Sequence, residues 1–539
     1  MLKSVPFWGS VVLLTALGFL VYPGHTYLQT DTQIYVPMME RIYNPVLFVD
    51  DPMIVRPHLA LTAYDEIAIG LRNYAALDFE TSLKLQQILF RLCGTAGLLL
   101  IALRLGLDLP GAFFVTALVF LNSASMGIGI TELDPEPRAF AIDLLLFAVG
   151  LCLEGEFLIA GSAAALGFLI HPTTMAPFWA VAAFAVWRRV ARPILLAPLL
   201  AAAAIFALLL HFQTGATETL DFFGRVGPFQ EALQRRHMAV NFISEWNTKQ
   251  VLDFLGECAV MALGFWRLRD RLVSPLREWL TGFAALALLS VPFSYIVLDQ
   301  LHWTLAGPWV PLRTIVFISL LAALFSAACG IFAMQKKIWW EAPLWFAVAL
   351  ALPVKELVAS IFVNPYLIAA ICALVAGSVA GAWLADRTRG IALIAAALLP
   401  FVVYSLPGVV PRGAPMDSPE LRELATWART KTDESAVFLF ADEGSFGGSG
   451  PFRARALRSV YVDYEGRALV NYYPLFSAEW SKRWRDTGQG HWLIGPQDFP
   501  DLAARKINFV ILRTEDAIPS REPEFRNSHY LAYSVLPGL

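Results

Sequence analysis

The sequence predicts a polytopic α-helical membrane protein of about thirteen transmembrane helices, followed by a C-terminal α/β domain outside the membrane. Three observations predict it. Of the 539 residues, 57% are hydrophobic and only 16% are charged, against about 25% charged in soluble domains; the mean hydropathy is +0.57. Apolar stretches recur along the first 410 residues, many near the ~20 residues a helix needs to cross the hydrocarbon core. Lys and Arg collect on alternate loops, as they do when one side of the membrane is cytoplasmic.

The candidate spans are centred near residues 14, 96, 119, 146, 164, 181, 202, 259, 288, 321, 346, 375 and 399. The first follows Lys3 and runs from Val11 to Tyr22 with no small-x-small cleavage site after it. It reads as a retained signal anchor with a cytoplasmic N-terminus, not a cleaved signal peptide. With that orientation the inside loops carry Arg104, then Arg188, Arg189 and Arg192, then Arg267, Arg269, Arg271 and Arg277, then Lys336 and Lys337, then Arg387 and Arg389. The long polar connections 23–84 and 212–250 fall outside, as do 130–138, 298–307 and 355–365. The expected location is a bacterial inner membrane.

After Pro407 the character changes. Residues 1–410 form the transmembrane part and 411–539 a soluble, periplasmic domain that opens after the junction "PGVVPRGAP". Ser418 caps an amphipathic helix in "SPELRELATWARTK"; "SAVFLF", "RSVYVDY" and "INFVIL" read as buried strands, and "AEWSKRWRD" and "DLAARK" as helices. The Gly-rich "DEGSFGGSGPFR" lacks the Walker Gly-Lys-Ser/Thr and reads as a flexible loop. The five cysteines (Cys93, Cys152, Cys258, Cys329, Cys372) all lie in apolar segments, which argues against a disulfide framework. A net charge of −3 with no basic block gives no sign of nucleic-acid binding.

Ionisable residues near span ends are expensive and point to function, and here they gather on the outer face. The first outer loop, 23–84, contains "QTDTQIYVPMMERIYNPVLFVDDPMIVRPH", with Asp31, Asp50 and Asp51 among apolar residues spaced for helices lying on the bilayer surface. The second has Glu132, Asp134, Glu136 and Arg138 in "TELDPEPRAF". His171, Arg236 in "QRRH", His302, and Arg313 in "WVPLRTIVFI" complete the set. Each also has a plainer structural role: Asp31 as a helix N-cap, Asp50 and Asp51 as turn residues, His171 as a helix cap, Arg138 and Arg313 as snorkelling anchors. A carboxylate can take a proton from an acceptor hydroxyl, acidic pairs can hold Mg²⁺ or Mn²⁺, and Arg suits phosphate. Together these describe transfer from a phosphate-bearing lipid to an acceptor across the membrane.

The Asp-x-x-x-Tyr pattern of Asp31 to Tyr35, "EPRAFAIDLLL" at 136–146, "LIHP" at 169–172 and the "W-x-R…AVFLF…FRARALRS…EW" pattern between Trp427 and Trp480 resemble a bacterial subgroup of the GT-C superfamily. These are integral-membrane glycosyltransferases that use polyprenyl-phosphate-linked sugars. The resemblance implies that Asp31 is the catalytic base. It implies that Asp134 and Glu136, with Glu132, Asp50 and Asp51 nearby, contact a metal or the acceptor. Arg313, Arg138, His171, His302 and Arg236 would then bind the donor phosphate. "DPE" departs from the Asp-x-Asp of the superfamily, so Mg²⁺- or Mn²⁺-dependent and metal-independent chemistry both stay open. The acceptor, whether glycan, lipid or protein, is not specified. Two other classes stand beside the enzyme: a transporter or flippase of lipid-linked sugar, suggested by broken helices such as "LIHPTTMAPF", and a non-catalytic envelope-assembly protein. One-sided charge and the lack of an internal repeat favour the enzyme.

Overall fold

A computed structural model of the chain describes residues 4–55, 62–121, 130–212, 223–338, 340–351, 386–405 and 416–535. The N-terminal part begins with α1 (Val5–Leu20), then α2 (Thr32–Tyr43) and α3 (Tyr64–Ala75), then α4 (Phe79–Arg104), α5 (Leu109–Leu121) and α6 (Pro137–Glu154). It continues with α7 (Phe157–Ile170), α8 (Pro172–Trp187), α9 (Ala197–Phe212), α10 (Pro228–His237) and α11 (Thr248–Leu268). The last of this series are α12 (Leu276–Ser294), α13 (Ala306–Trp309), α14 (Val316–Gln335) and α15 (Glu341–Ala351), with a further helix at Asp386–Ser405.

All but one of the expected span centres fall in these helices; the one near 375 lies outside the described residues. By length and composition, three stretches are long and apolar enough to cross a membrane: Phe79–Arg104, Leu276–Gln300 and Ala306–Gln335. Val5–Leu20 and Phe157–Ile170 are among the shorter apolar helices. At ~1.5 Å per residue a 16-residue helix such as α1 reaches about 24 Å, short of the ~30 Å core. Among the described residues, three helices are thus full-length spans by length and composition, with shorter apolar helices beside them.

Small residues set the central crossing. A Cβ on Gly97 of α4 would lie 2.2 Å from the Leu146 carbonyl oxygen of α6, and one on Gly150 would lie 3.0 Å from Gly97 Cα. The two backbones thus touch where side chains are missing, and the middle of α6 is fixed against α4. Side chains of α4 then hold the loop leading into α6: Gln87 Nε2 donates to Leu133 O at 2.6 Å, and Arg91 donates to the carbonyls of Gly24 (2.7 Å) and Glu132.

The C-terminal part is a five-stranded mixed sheet in the order β2-β1-β3-β5-β4, built from β1 (Val437–Phe440), β2 (Ser459–Val460), β3 (Phe509–Arg513), β4 (Phe525–Arg526) and β5 (Tyr530–Ser534). β1 pairs in parallel with β2 and β3, while β5 runs antiparallel to β3 and β4. Both faces of β1 are buried, which is why "VFLF" is uniformly apolar. Phe438 and Phe440 pack with Leu421 and Leu424 of the helix Pro419–Lys431. Val437 and Leu439 face the other way, into a core that includes Trp480 and also Ile34, Met38 and Met39 of α2. The 23–84 connection and the sheet therefore share one hydrophobic core.

The Gly-rich stretch expected to be a flexible loop is ordered instead. It forms the short helices Glu443–Phe446 and Ser449–Ala456, and a Cβ on Gly450 would meet Gln33 Oε1 of α2 at 1.9 Å. Its glycines permit close helix packing, a use the composition alone does not distinguish from flexibility.

Candidate active site

Asp31 immediately precedes α2, but its side chain makes no cap bond. Its backbone is already helical (φ −61°, ψ −20°), whereas a capping residue needs an extended backbone to reach back to the next turn. The carboxylate is left to face a cavity of about 300 Å³. Four chain segments supply most of its lining: Gln29 to Tyr35, Glu136 to Arg138 at the start of α6, Val310 and Arg313 before α14, and Glu465 to Tyr472 from the C-terminal part. His171, at the break between α7 and α8, also lines it. Arg138, Val310 and Arg313 additionally line a narrow slot that continues between α6, α8 and α14, past Ile142, Pro177 and Phe317.

The electrostatics divide by segment. Glu136 is buried, and burial pushes its carboxyl well above the usual range; Arg138 opposes that shift and Asp31 adds to it. Glu136 Oε1 accepts from Arg138 at 2.8 Å, while its Oε2 is buried without a hydrogen-bond partner among the described residues. Glu132 accepts from the same guanidinium at 3.1 Å, so Arg138 is neutralised. Arg313 has no hydrogen bond or ion pair with any described residue; Asp31, Tyr35, Tyr472 and Arg138 lie within electrostatic range of it. Burial, then Asp31, pushes the Tyr35 phenol well above its usual value, so it stays a proton donor. Val310 adopts φ +46°, a costly conformation for a β-branched residue, and it sits where the cavity meets the slot.

The structure brings Asp31, Glu136, Arg138, His171 and Arg313 to one cavity. Asp134 lies behind it, 1% exposed. Its two oxygens accept from five donors: the Thr26 hydroxyl, the Gln29 (3.1 Å) and Thr30 (2.8 Å) amides, and the Thr30 and Thr32 hydroxyls. It fixes the 26–32 loop and so holds Asp31 in place. With both Asp134 oxygens engaged and Glu136 paired to Arg138, these two residues do not fit a divalent cation. Among the described residues no group of three or more His, Cys, Asp or Glu is arranged to hold one.

The remaining expected site residues sit elsewhere. Asp50 is exposed. Asp51 is buried and accepts from Arg453 Nε at 2.6 Å. His302 Nδ1 lies 3.2 Å from Glu231, and Arg236 donates to Gln489 at 2.8 Å. Sequence reading missed Glu465, Arg467, Asn471 and Tyr472. The available signal was the polar and aromatic run "YEGRALVNYY" directly after a buried strand, but nothing in the sequence says that it reaches back to the membrane part.

No protein-family model matches the chain, and no curated protein does. Three solved structures are similar in chain path. ArnT from Cupriavidus metallidurans bound to undecaprenyl phosphate is 12% identical with a TM-score of 0.49, over 98% of this chain and 96% of that one. The apo oligosaccharyltransferase of Archaeoglobus fulgidus is 13% identical with a TM-score of 0.44, over 94% and 69%. The same archaeon's AglB, in complex with an inhibitory peptide and a dolichol-phosphate, is 12% identical with a TM-score of 0.42, over 94% and 69%. These are GT-C membrane glycosyltransferases, the superfamily that the sequence resembles; with TM-scores below 0.5 the likeness carries no argument about the site or the reaction.

Proposed function

We propose that the chain is a membrane glycosyltransferase that moves a sugar from a polyprenyl-phosphate donor to an extracytoplasmic acceptor with inversion. The observation that carries this reading is the shared cavity: Asp31 and Arg313 both line it, and a narrow slot of mixed polar and apolar lining begins beside Arg313. The donor phosphate would lie against Arg313, which has no hydrogen bond or ion pair with any described residue, and the lipid chain would run along the helices beside it. The acceptor hydroxyl would lie against Asp31. Its oxygen attacks the anomeric carbon as the bond from that carbon to the phosphate oxygen breaks. The proton passes to Asp31, and the electron pair leaves with the phosphate, whose charge Arg313 balances. Glu136 stands beside Asp31, whose charge adds to the burial that raises the Glu136 carboxyl. Tyr35 and His171 add polar groups around the reacting centre. No step needs a metal.

The test is Asp31→Asn, assayed for sugar transfer in membranes from polyprenyl-phosphate sugars. Loss of a general base costs ~10²–10⁴-fold, so transfer should fall by at least about a hundredfold. Undiminished transfer would remove Asp31 from the mechanism. Movement of lipid-linked sugar between leaflets without transfer, in reconstituted vesicles, would favour the flippase reading instead.

A further inference from the structure

The reading above leaves the C-terminal wall of the cavity without a task. That wall is the turn Glu465–Asn471 with Tyr472. It is firmly held: Gly466 N donates to Asp463 Oδ1 at 2.8 Å, Gln230 Nε2 of α10 donates to Val470 O at 2.8 Å, and Gly307 packs on Asn471 closely enough that a Cβ would lie 3.3 Å from its carbonyl oxygen. The backbone is thus pinned from both parts of the chain, while two of the side chains it presents are left open. Among the described residues neither the Glu465 carboxyl nor the Asn471 amide has a hydrogen bond or ion pair, although Asn471 is only 7% exposed. Polar groups this enclosed normally find partners.

The wall offers a carboxyl, an amide and a phenol, the mixture of acceptors and donors that matches vicinal hydroxyls. Glu465 and Arg467 stand side by side, so neither an acidic nor a basic ring would gain from the wall. At about 300 Å³ the cavity is at the small end of ligand sites; it has room for one ring and not for an extended glycan. Arg313 lines the same cavity, within electrostatic range of Tyr472.

We propose that Glu465 and Asn471 form the sugar-recognising wall of this cavity and that the unit they hold is a single neutral hexose on the lipid donor. The proposal rests on the donor reading given above. Burial places the Glu465 carboxyl at about 7, with Arg467 lowering it and Asp31 raising it; near neutrality it can therefore donate to or accept from a hydroxyl.

The experiment compares the affinities of purified full-length protein for undecaprenyl phosphate and for undecaprenyl-phosphate glucose, mannose and galactose, by native mass spectrometry. The wild type is expected to prefer at least one hexose-bearing lipid over the bare phosphate. Glu465→Ala and Asn471→Ala should each cut that preference about tenfold, the loss of one good hydrogen bond to the ring. Glu465→Gln, which preserves shape and one acceptor, should cut it less, and it carries the test where Glu465→Ala does not fold. Arg313→Ala should weaken all four lipids alike and leave the ratio unchanged. A wild type without any preference, or folded Glu465 and Asn471 variants with an unchanged ratio, would overturn the sugar wall while the Arg313 result keeps the donor site. If Arg313→Ala leaves undecaprenyl phosphate binding untouched, the donor reading fails and the sugar wall fails with it.

Discussion

Arg453 is a fully buried charge whose replacement gives a calculable result. Its guanidinium is 1% exposed and bridges two carboxylates, Asp51 of the 23–84 connection at 2.6 Å and Asp463 of the C-terminal part at 2.7 Å. Asp51 also accepts from Val460 N at 3.0 Å, and Asp463 from Gly466 N at 2.8 Å. Arg453→Met removes the cation and leaves two carboxylates buried without a counter-charge, which costs about 3–5 kcal/mol. Asp51→Asn is gentler. It leaves Arg453 facing Asp463, a neutral pair, and forfeits chiefly one charge-assisted hydrogen bond, about 1–2 kcal/mol. Trp480 reports on the site, since its indole donates to Asp463 O at 2.9 Å. Guanidinium titration of the full chain in detergent, followed by tryptophan fluorescence, should therefore show a much larger drop in midpoint for Arg453→Met than for Asp51→Asn. Equal drops, or drops below about 1 kcal/mol in both, would refute the view that one cation holds two buried anions together.

Asp134→Ala should destabilise by about 3 kcal/mol or more in the same titration, because five donors lose a buried charged acceptor at once. Asp134→Asn should recover part of that, and a neutral effect would show that the 26–32 loop is held by other contacts. Glu443 gives a pH signature: burial, reinforced by Asp463, raises its carboxyl from 4.5 to about 8. The folded state then keeps a proton that the unfolded state gives up, so stability should fall as pH rises from about 4.5 to about 8 and level off above. The loss is at most roughly 5 kcal/mol. Glu443→Gln should flatten that slope in midpoints measured at pH 5, 7 and 9, and parallel slopes would contradict it.

Much of the helical part was legible because apolar runs are long and local. Hydropathy cannot say how far each run stays helical, and the break at His171-Pro172 divides α7 from α8 where a continuous apolar pattern suggests longer segments. Strands such as "VFLF" were legible because a strand buried on both faces is continuously apolar. The site was half legible. Asp31 and Arg313 declare themselves as charges beside apolar runs, a local signal. Asp51 looked similar, yet it is a structural anchor, because its partner Arg453 lies 402 residues away in the chain. Glu465 and Asn471 sit in an ordinary polar turn, and only tertiary docking brings them to the cavity.

That docking has a consequence for how the site is maintained. Its membrane-side wall depends on Asp134 holding the loop before α2, and its opposite wall depends on Asp463 holding the turn at Gly466. Asp463 is tied through Arg453 to Asp51, twenty residues beyond Asp31 on the same connection. The two walls are therefore not independent: one loop carries Asp31 at its start and anchors the opposing wall through Asp51 near its middle. A disturbance of Asp51 should reach the cavity through the Arg453 bridge even though Asp51 does not line it. Buried ion pairs contribute little net stability when intact and cost much when broken, so the bridge is better understood as fixing the register between loop and sheet than as adding strength. A cavity assembled from four distant segments needs such a register, because an error of one helical turn in any of them would part Asp31 from Arg313.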